Sequence, residues 1–124
     1  MSRILLILTA LLFAIPAAAE DYEKGPNEGL MLDVAGIDAE LLTAGSTVTI
    51  NVFKPFSPTP VSTKGYSAAV LITSGTGRET VALAPSGENS LKGDAKSAIG
   101  SGTTITLTLK TSEGKSGQVK YKTR

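Results

Sequence analysis

The chain has 124 residues, with 12 Lys+Arg against 11 Asp+Glu, and no Cys, His or Trp. That length suits one domain. The missing residue types exclude a disulfide framework, a thiolate zinc site, a cysteine nucleophile, a Cys-anchored lipoprotein, and histidine as ligand or general base.

The chain opens Met1-Ser2-Arg3, with one early positive charge. Ile4 to Ile15 is then apolar except for Thr9, and Pro16 and the small-residue end Ala17-Ala18-Ala19 follow. This three-part layout is that of a secretory signal peptide. The apolar run is shorter than the ~20 residues of a membrane-spanning helix. Residues 1–19 are therefore expected to be a cleaved signal peptide, leaving no transmembrane segment and a mature chain from Glu20 exported to a bacterial periplasm. Residues 20–29 are polar and contain Gly25, Pro26 and Gly29, which predicts a flexible acidic arm.

Charge is unevenly spread. Residues 20–43 hold Glu20, Asp21, Glu23, Glu28, Asp33, Asp38 and Glu40 against Lys24 alone, and the bases dominate beyond. Two readings stay open: the acidic and basic parts pair within one fold, or a basic face meets an acidic partner or a membrane surface. The bases are scattered singly and aromatic residues make up only 5%, so no nucleic-acid partner is expected.

From residue 30 the pattern is that of strands. Leu30–Val34 is a short one. Ile37, Ala39 and Leu41 alternate with Asp38 and Glu40, and Val48, Ile50 and Val52 alternate with Thr47, Thr49 and Asn51. Ala68–Thr73 is more continuously apolar, which predicts a central strand covered on both faces. Thr80–Ala84, Ser90–Gly93, Thr104–Leu109 and Gln118–Lys122 complete the set. Period-two alternation rich in Thr, Val and Ile marks half-buried antiparallel strands. Turn residues separate them at Ala44-Gly45-Ser46, Ser74–Gly77, Pro85–Asn89, Gly100–Gly102 and Glu113–Lys115. Lys54–Pro60, with three prolines, is a loop. Seven to eight short strands predict an all-β antiparallel sandwich of immunoglobulin-like type over residues 30–124.

Catalytic motifs are scarce. Ser112 and Lys115 have the S-x-x-K spacing but fall on a predicted hairpin turn, where the helical geometry that motif needs is absent. Asp38 and Glu40, two apart on a strand, share a face and read as a solvated sheet surface. Gly75-Thr76-Gly77-Arg78 lacks the third glycine and following helix of a phosphate loop. Neither catalysis nor a cofactor is expected. For metals, Glu20, Asp21, Glu23 and Glu28 supply oxygen ligands without the spacing of a calcium loop, and Met31 is the one methionine of the mature chain, a poor soft-metal site by itself.

The mature chain opens Gly25-Pro26-Asn27-Glu28-Gly29-Leu30, and a later segment runs Leu83-Ala84-Pro85-Ser86-Gly87-Glu88-Asn89-Ser90-Leu91-Lys92-Gly93. With the acidic strand Ile37–Leu41 and the threonine-rich strand Val48–Phe53 between them, this order resembles a small periplasmic β-domain associated with heavy-metal efflux. That domain occurs alone or as the N-terminal extra domain of some membrane-fusion adaptors of resistance-nodulation-division pumps. The family's opening reads Gly-Pro-(Asn or His)-Gly-Gly, and its later segment reads Leu-x-Pro-x-Gly-x-x-x-Leu-x-Gly, on which Leu83, Pro85, Gly87, Leu91 and Gly93 fall. Glu28 stands where the family has glycine, and the family's histidines are absent. The resemblance implies a non-catalytic periplasmic accessory domain with a periplasmic or membrane-protein partner; an exposed edge strand or the acidic arm 20–29 would dock that partner. The alternative is a weak metal buffer or chaperone using Glu20, Asp21, Glu23, Glu28 and Met31.

Overall fold

A computed structural model describes residues 22–124. The expected signal peptide, its cleavage point and the candidate ligands Glu20 and Asp21 lie outside the described residues. Within them the structure is all-β, with no helix.

Nine strands form: β1 (Glu23–Lys24), β2 (Leu30–Val34), β3 (Ile37–Ala44), β4 (Thr47–Phe53), β5 (Ser67–Ser74), β6 (Gly77–Ser86), β7 (Ser90–Asp94), β8 (Thr104–Lys110) and β9 (Ser116–Lys122). All pairings are antiparallel, and they join the strands into one curled sheet in the order β1-β2-β3-β4-β7-β6-β5-β8-β9. Alternation predicted two layers. The continuity comes from β6, which runs on through Pro85 where a loop was expected. Its first part pairs with β5 as far as Leu83, and its last residues, Ala84–Ser86, pair with β7. Pro85 lies past the last β5 partner, where one edge of β6 has no strand to donate to, so the missing N–H costs no ladder bond.

The predicted inward residues form the core. Val48, Ile50, Val52, Leu91, Ile105 and Leu107 are fully buried, with Leu41, Val70, Val81, Leu83 and Leu109 packed around them. On β5 only Val70 and Ile72 are buried; Leu71, on the other face, is half-buried, so this central strand is covered on one side where both were expected to be. The ends of the sheet approach one another. Tyr121 on β9 sends its hydroxyl across the interior to donate to the Ala39 carbonyl on β3 (2.8 Å), its ring lies against Tyr22 at 6.2 Å, and the Tyr22 hydroxyl accepts from the Lys122 N–H at 2.8 Å. A Cβ on Gly117 would come within 2.9 Å of Val34 Cγ2, so β9 passes close to the end of β2 only because this residue is glycine.

The part of the expected flexible arm that is described is paired. Glu23 faces Met31 and Lys24 faces Leu30 across β1 and β2. The reason lies on β3. Asp38 and Glu40, expected on a solvated face, are both buried (8% and 0% exposed), and the residues of the arm help to cover them.

Candidate functional site

The acidic corner of the sheet is built from β1, β2, β3 and the loop after β4. The turn between β1 and β2 places Pro26 second in a Gly25–Glu28 β-turn, closed by the Glu28 N–H donating to the Gly25 carbonyl (2.8 Å); a wider Gly25 N–H to Gly29 carbonyl bond (3.0 Å) follows. Glu40 reaches up into this turn. Its Oε2 accepts from the backbone N–H groups of Asn27 (2.8 Å) and Gly29 (2.9 Å), and its Oε1 accepts from the Asn27 side-chain amide (2.9 Å). Asn51, opposite Glu40 on β4, points its own amide at the same oxygen from 3.5 Å. The flanking glycines make the approach possible: a Cβ on Gly25 would lie 2.4 Å from Glu40 Cδ, and one on Gly29 would lie 2.4 Å from the Leu41 carbonyl oxygen. Glu40 is thus a buried carboxylate whose charge is met by oriented donors, as burial of a charge requires.

Two residues earlier on the same strand, Asp38 has a different environment. β2 and β3 are joined by Ala35 (φ 51°) and Gly36 (φ 83°), both left-handed, the pattern of a two-residue type I′ hairpin. Val34 and Ile37 close the turn, and Asp33 and Asp38 form the next pair out. By the alternation of an antiparallel ladder this is a non-hydrogen-bonded pair, the kind in which opposite side chains lie closest. Two carboxyls therefore face each other across the hairpin. Asp38 Oδ1 is buried with no hydrogen-bond partner among the described residues. Burial first, then a hydrogen bond with the Asp33 side chain, then the charges of Asp33 and Glu23, push the Asp38 carboxyl up to about 6, against the Phe56 backbone N–H, which favours the ionised form.

Glu23, Met31, Leu32, Asp33, Asp38 and Phe56 line one open cleft of about 310 Å3. Phe56 follows Pro55 in a turn closed by the Ser57 N–H on the Lys54 carbonyl (3.2 Å), and it holds φ 60°, a value better suited to glycine. Its side chain is fully exposed. Among the described residues no cation pairs with these acids: the only ion pair is Lys24–Glu28 (3.9 Å), on the exposed turn. Among the described residues, the pairing of acidic and basic parts, one of the two readings the charge distribution leaves open, is not made through ion pairs.

Of the ligands expected from sequence, Glu23 and Met31 share the cleft and Glu28 stands apart with Lys24. Among the described residues no group of three or more acids is placed to hold a metal ion. Ser112 and Lys115 sit, as predicted, on the exposed turn between β8 and β9, where the Thr111 N–H donates to the Lys115 carbonyl (2.8 Å), and no hydrogen bond joins their side chains. Asp33, Asp38 and Phe56 were not among the expected site residues. The signal for the first two was present: Asp33-Val34-Ala35-Gly36-Ile37-Asp38 is a two-residue turn with an acid at the same distance on each side.

Comparison with protein-family models, with curated proteins and with solved structures finds no match for the chain. Several of the residues that carry the resemblance expected from the sequence have a local structural task. Gly25, Asn27 and Gly29 grip Glu40. Leu83 and Leu91 are core, and Gly87 turns the β6–β7 hairpin at φ 70°. A Cβ on Gly93 would lie 2.6 Å from the Ala82 carbonyl oxygen.

Proposed function

We propose that this chain is a non-catalytic periplasmic interaction domain, accessory to a metal-efflux or envelope-stress system, that docks a periplasmic or membrane-protein partner through its acidic corner. One observation carries the reading: Glu23, Asp33 and Asp38 converge on an open cleft beside an exposed phenylalanine, and among the described residues no basic side chain forms an ion pair with them. An exposed aromatic residue can anchor a partner, and uncompensated charge beside it gives a partner of opposite sign complementarity and orientation. The leader pattern of residues 1–19 supports export through a cleaved signal peptide, and among the described residues no helix is long and apolar enough to cross a membrane. The two crossover connections, 54–66 and 95–103, fit an immunoglobulin-like sandwich as the finer description of the curled sheet.

A photo-crosslinking residue at position 56, expressed in the periplasm, tests the reading. One dominant adduct is expected from position 56 and none from Thr108, exposed on β8. Equal labelling from both positions, or none from either, would sink it. Mass spectrometry of the exported protein should find Glu20 as the first residue.

A second reading, a weak metal buffer, is favoured by the pairing of Glu23 with Met31 across β1 and β2. Titration with Cu(II), Zn(II) and Ca(II) decides it; the oxygen ligands require binding at least as tight as ~1 mM.

A further inference from the structure

We propose that the cleft between β1, β2 and the loop carrying Phe56 is a recognition pocket for an alkylammonium group, the side chain of a lysine on the docking partner. The inference rests on the interaction reading above and names the chemistry of its contact.

Three observations carry it. Asp38 is more than nine-tenths buried, and its Oδ1 has no partner among the described residues. Directly across the ladder stands a second carboxylate, Asp33, which is exposed, with Glu23 on the next strand. Like charges placed opposite each other on paired strands destabilise a sheet, and a buried carboxylate oxygen without a donor adds to that cost. A cation seated against the pair removes both penalties. The remaining walls select the kind of cation. A hard metal ion wants six or more oxygens, and no group of three acids is placed for one among the described residues. Phe56 and Met31 instead offer an aromatic face and an apolar flank, while Leu32 turns its side chain to the core; these walls suit an ammonium on a methylene stem: the head meets carboxylates and the ring, and the stem meets the apolar wall. The cleft lies at the small end of the range for ligand pockets, room for one such side chain.

The titration of the site follows from its neighbours. Asp33, Glu23 and the Phe56 N–H are the groups acting on Asp38, and Asp38 accepts a proton near pH 6. Protonation removes half of the facing pair, so affinity should fall about tenfold between pH 7.5 and pH 5.

The test uses the exported chain, isotopically labelled, at pH 7.5. The probe is the peptide acetyl-Ala-Lys-Ala-amide, with its Nε-acetyl-lysine counterpart as control. Saturable amide shifts are expected at Asp33, Asp38 and Phe56 with the first peptide only. Asp38→Asn and Asp33→Asn should each weaken binding at least tenfold, and Phe56→Ala about threefold, with amide dispersion elsewhere unchanged. Equal shifts with the acetylated peptide, unchanged affinity in Asp38→Asn, or displacement by equimolar Ca(II) would overturn the proposal. So would tighter binding of 1,5-diaminopentane, which would make a free amine the ligand. Repeating the position-56 crosslink in Asp38→Asn separates the two claims: an adduct that persists keeps the interaction reading and removes the lysine, and an adduct that disappears supports both.

Discussion

Glu40 and Asp38 lie two residues apart on one face of one strand, both carboxylates, both buried, and they have opposite roles. Glu40 meets four donors supplied by the Gly25–Gly29 turn and by Asn51. Asp38 meets a second carboxyl across the hairpin and keeps one buried oxygen unpaired. The first arrangement secures the edge of the sheet; the second stores unfavourable electrostatics beside an open cleft. Burial alone does not distinguish a structural acid from a functional one. The donors around it do, because a satisfied carboxylate has no use for a ligand and an unsatisfied one does.

Substitutions on the two acids should therefore shift stability in opposite directions. Glu40→Ala strands the Asn27 and Gly29 backbone donors and empties the space beneath the turn, so chemical denaturation should show a loss of about 3 kcal/mol. Asn27→Ala removes one charge-assisted bond and leaves the backbone donors in place; about 1.5 kcal/mol should be lost. If both variants match the wild type, the turn does not anchor β1.

Asp38→Asn should instead stabilise the protein, by about 1 kcal/mol at pH 7, because it ends the repulsion across the β2–β3 hairpin. The pH profile fixes the cause. The Asp38 carboxyl is raised from its ordinary 3.8 to about 6, so the folded state binds a proton that the unfolded state has released. Stability contributed by this group is fully present below pH 3.8 and is lost as pH rises through about 6. Thermal melts from pH 4 to 7 should show that decline in the wild type and lose it in Asp38→Asn. A decline that survives the substitution would assign the titration elsewhere.

The same pair of residues marks how far the sequence is legible. Strand positions and inward faces follow from local alternation, and Val48, Ile50, Val52, Ile105, Leu107 and Leu109 are buried as their pattern requires. Alternation says which side chains share a face, but not what covers that face. Asp38 and Glu40 alternate with Ile37, Ala39 and Leu41, so they read as solvent-facing. Their cover comes from a turn eleven residues upstream of Glu40 and from the loop bearing Phe56. Glycine spacing was the available clue for Glu40, since two glycines four apart around Pro-Asn permit a close approach from below. For the cleft, the turn Ala35-Gly36 sets the register that opposes Asp33 to Asp38, and only the tertiary path of Lys54–Pro60 adds Phe56. The single continuous sheet was hidden by Pro85, a residue that reads as a strand end and here sits inside β6.

The smallest effect separates the turn from the acid it holds. Glu28 has φ 64°, a left-handed conformation costing a side-chain-bearing residue roughly 1–2 kcal/mol. Its ion pair with Lys24 is 3.9 Å long between largely exposed side chains and adds little. Glu28→Gly relieves the strain, partly offset by the greater unfolded-state freedom of glycine, so a gain of about 0.5 kcal/mol is expected. Glu28→Ala keeps the strain and loses only the ion pair, and its melting temperature should equal the wild type's. If alanine stabilises as much as glycine, removal of a negative charge from an acidic corner is the cause and backbone strain is not. Either way the pH dependence assigned to Asp38 should be unchanged in Glu28→Gly, because the turn acts on Glu40, whose carboxylate is already fully engaged.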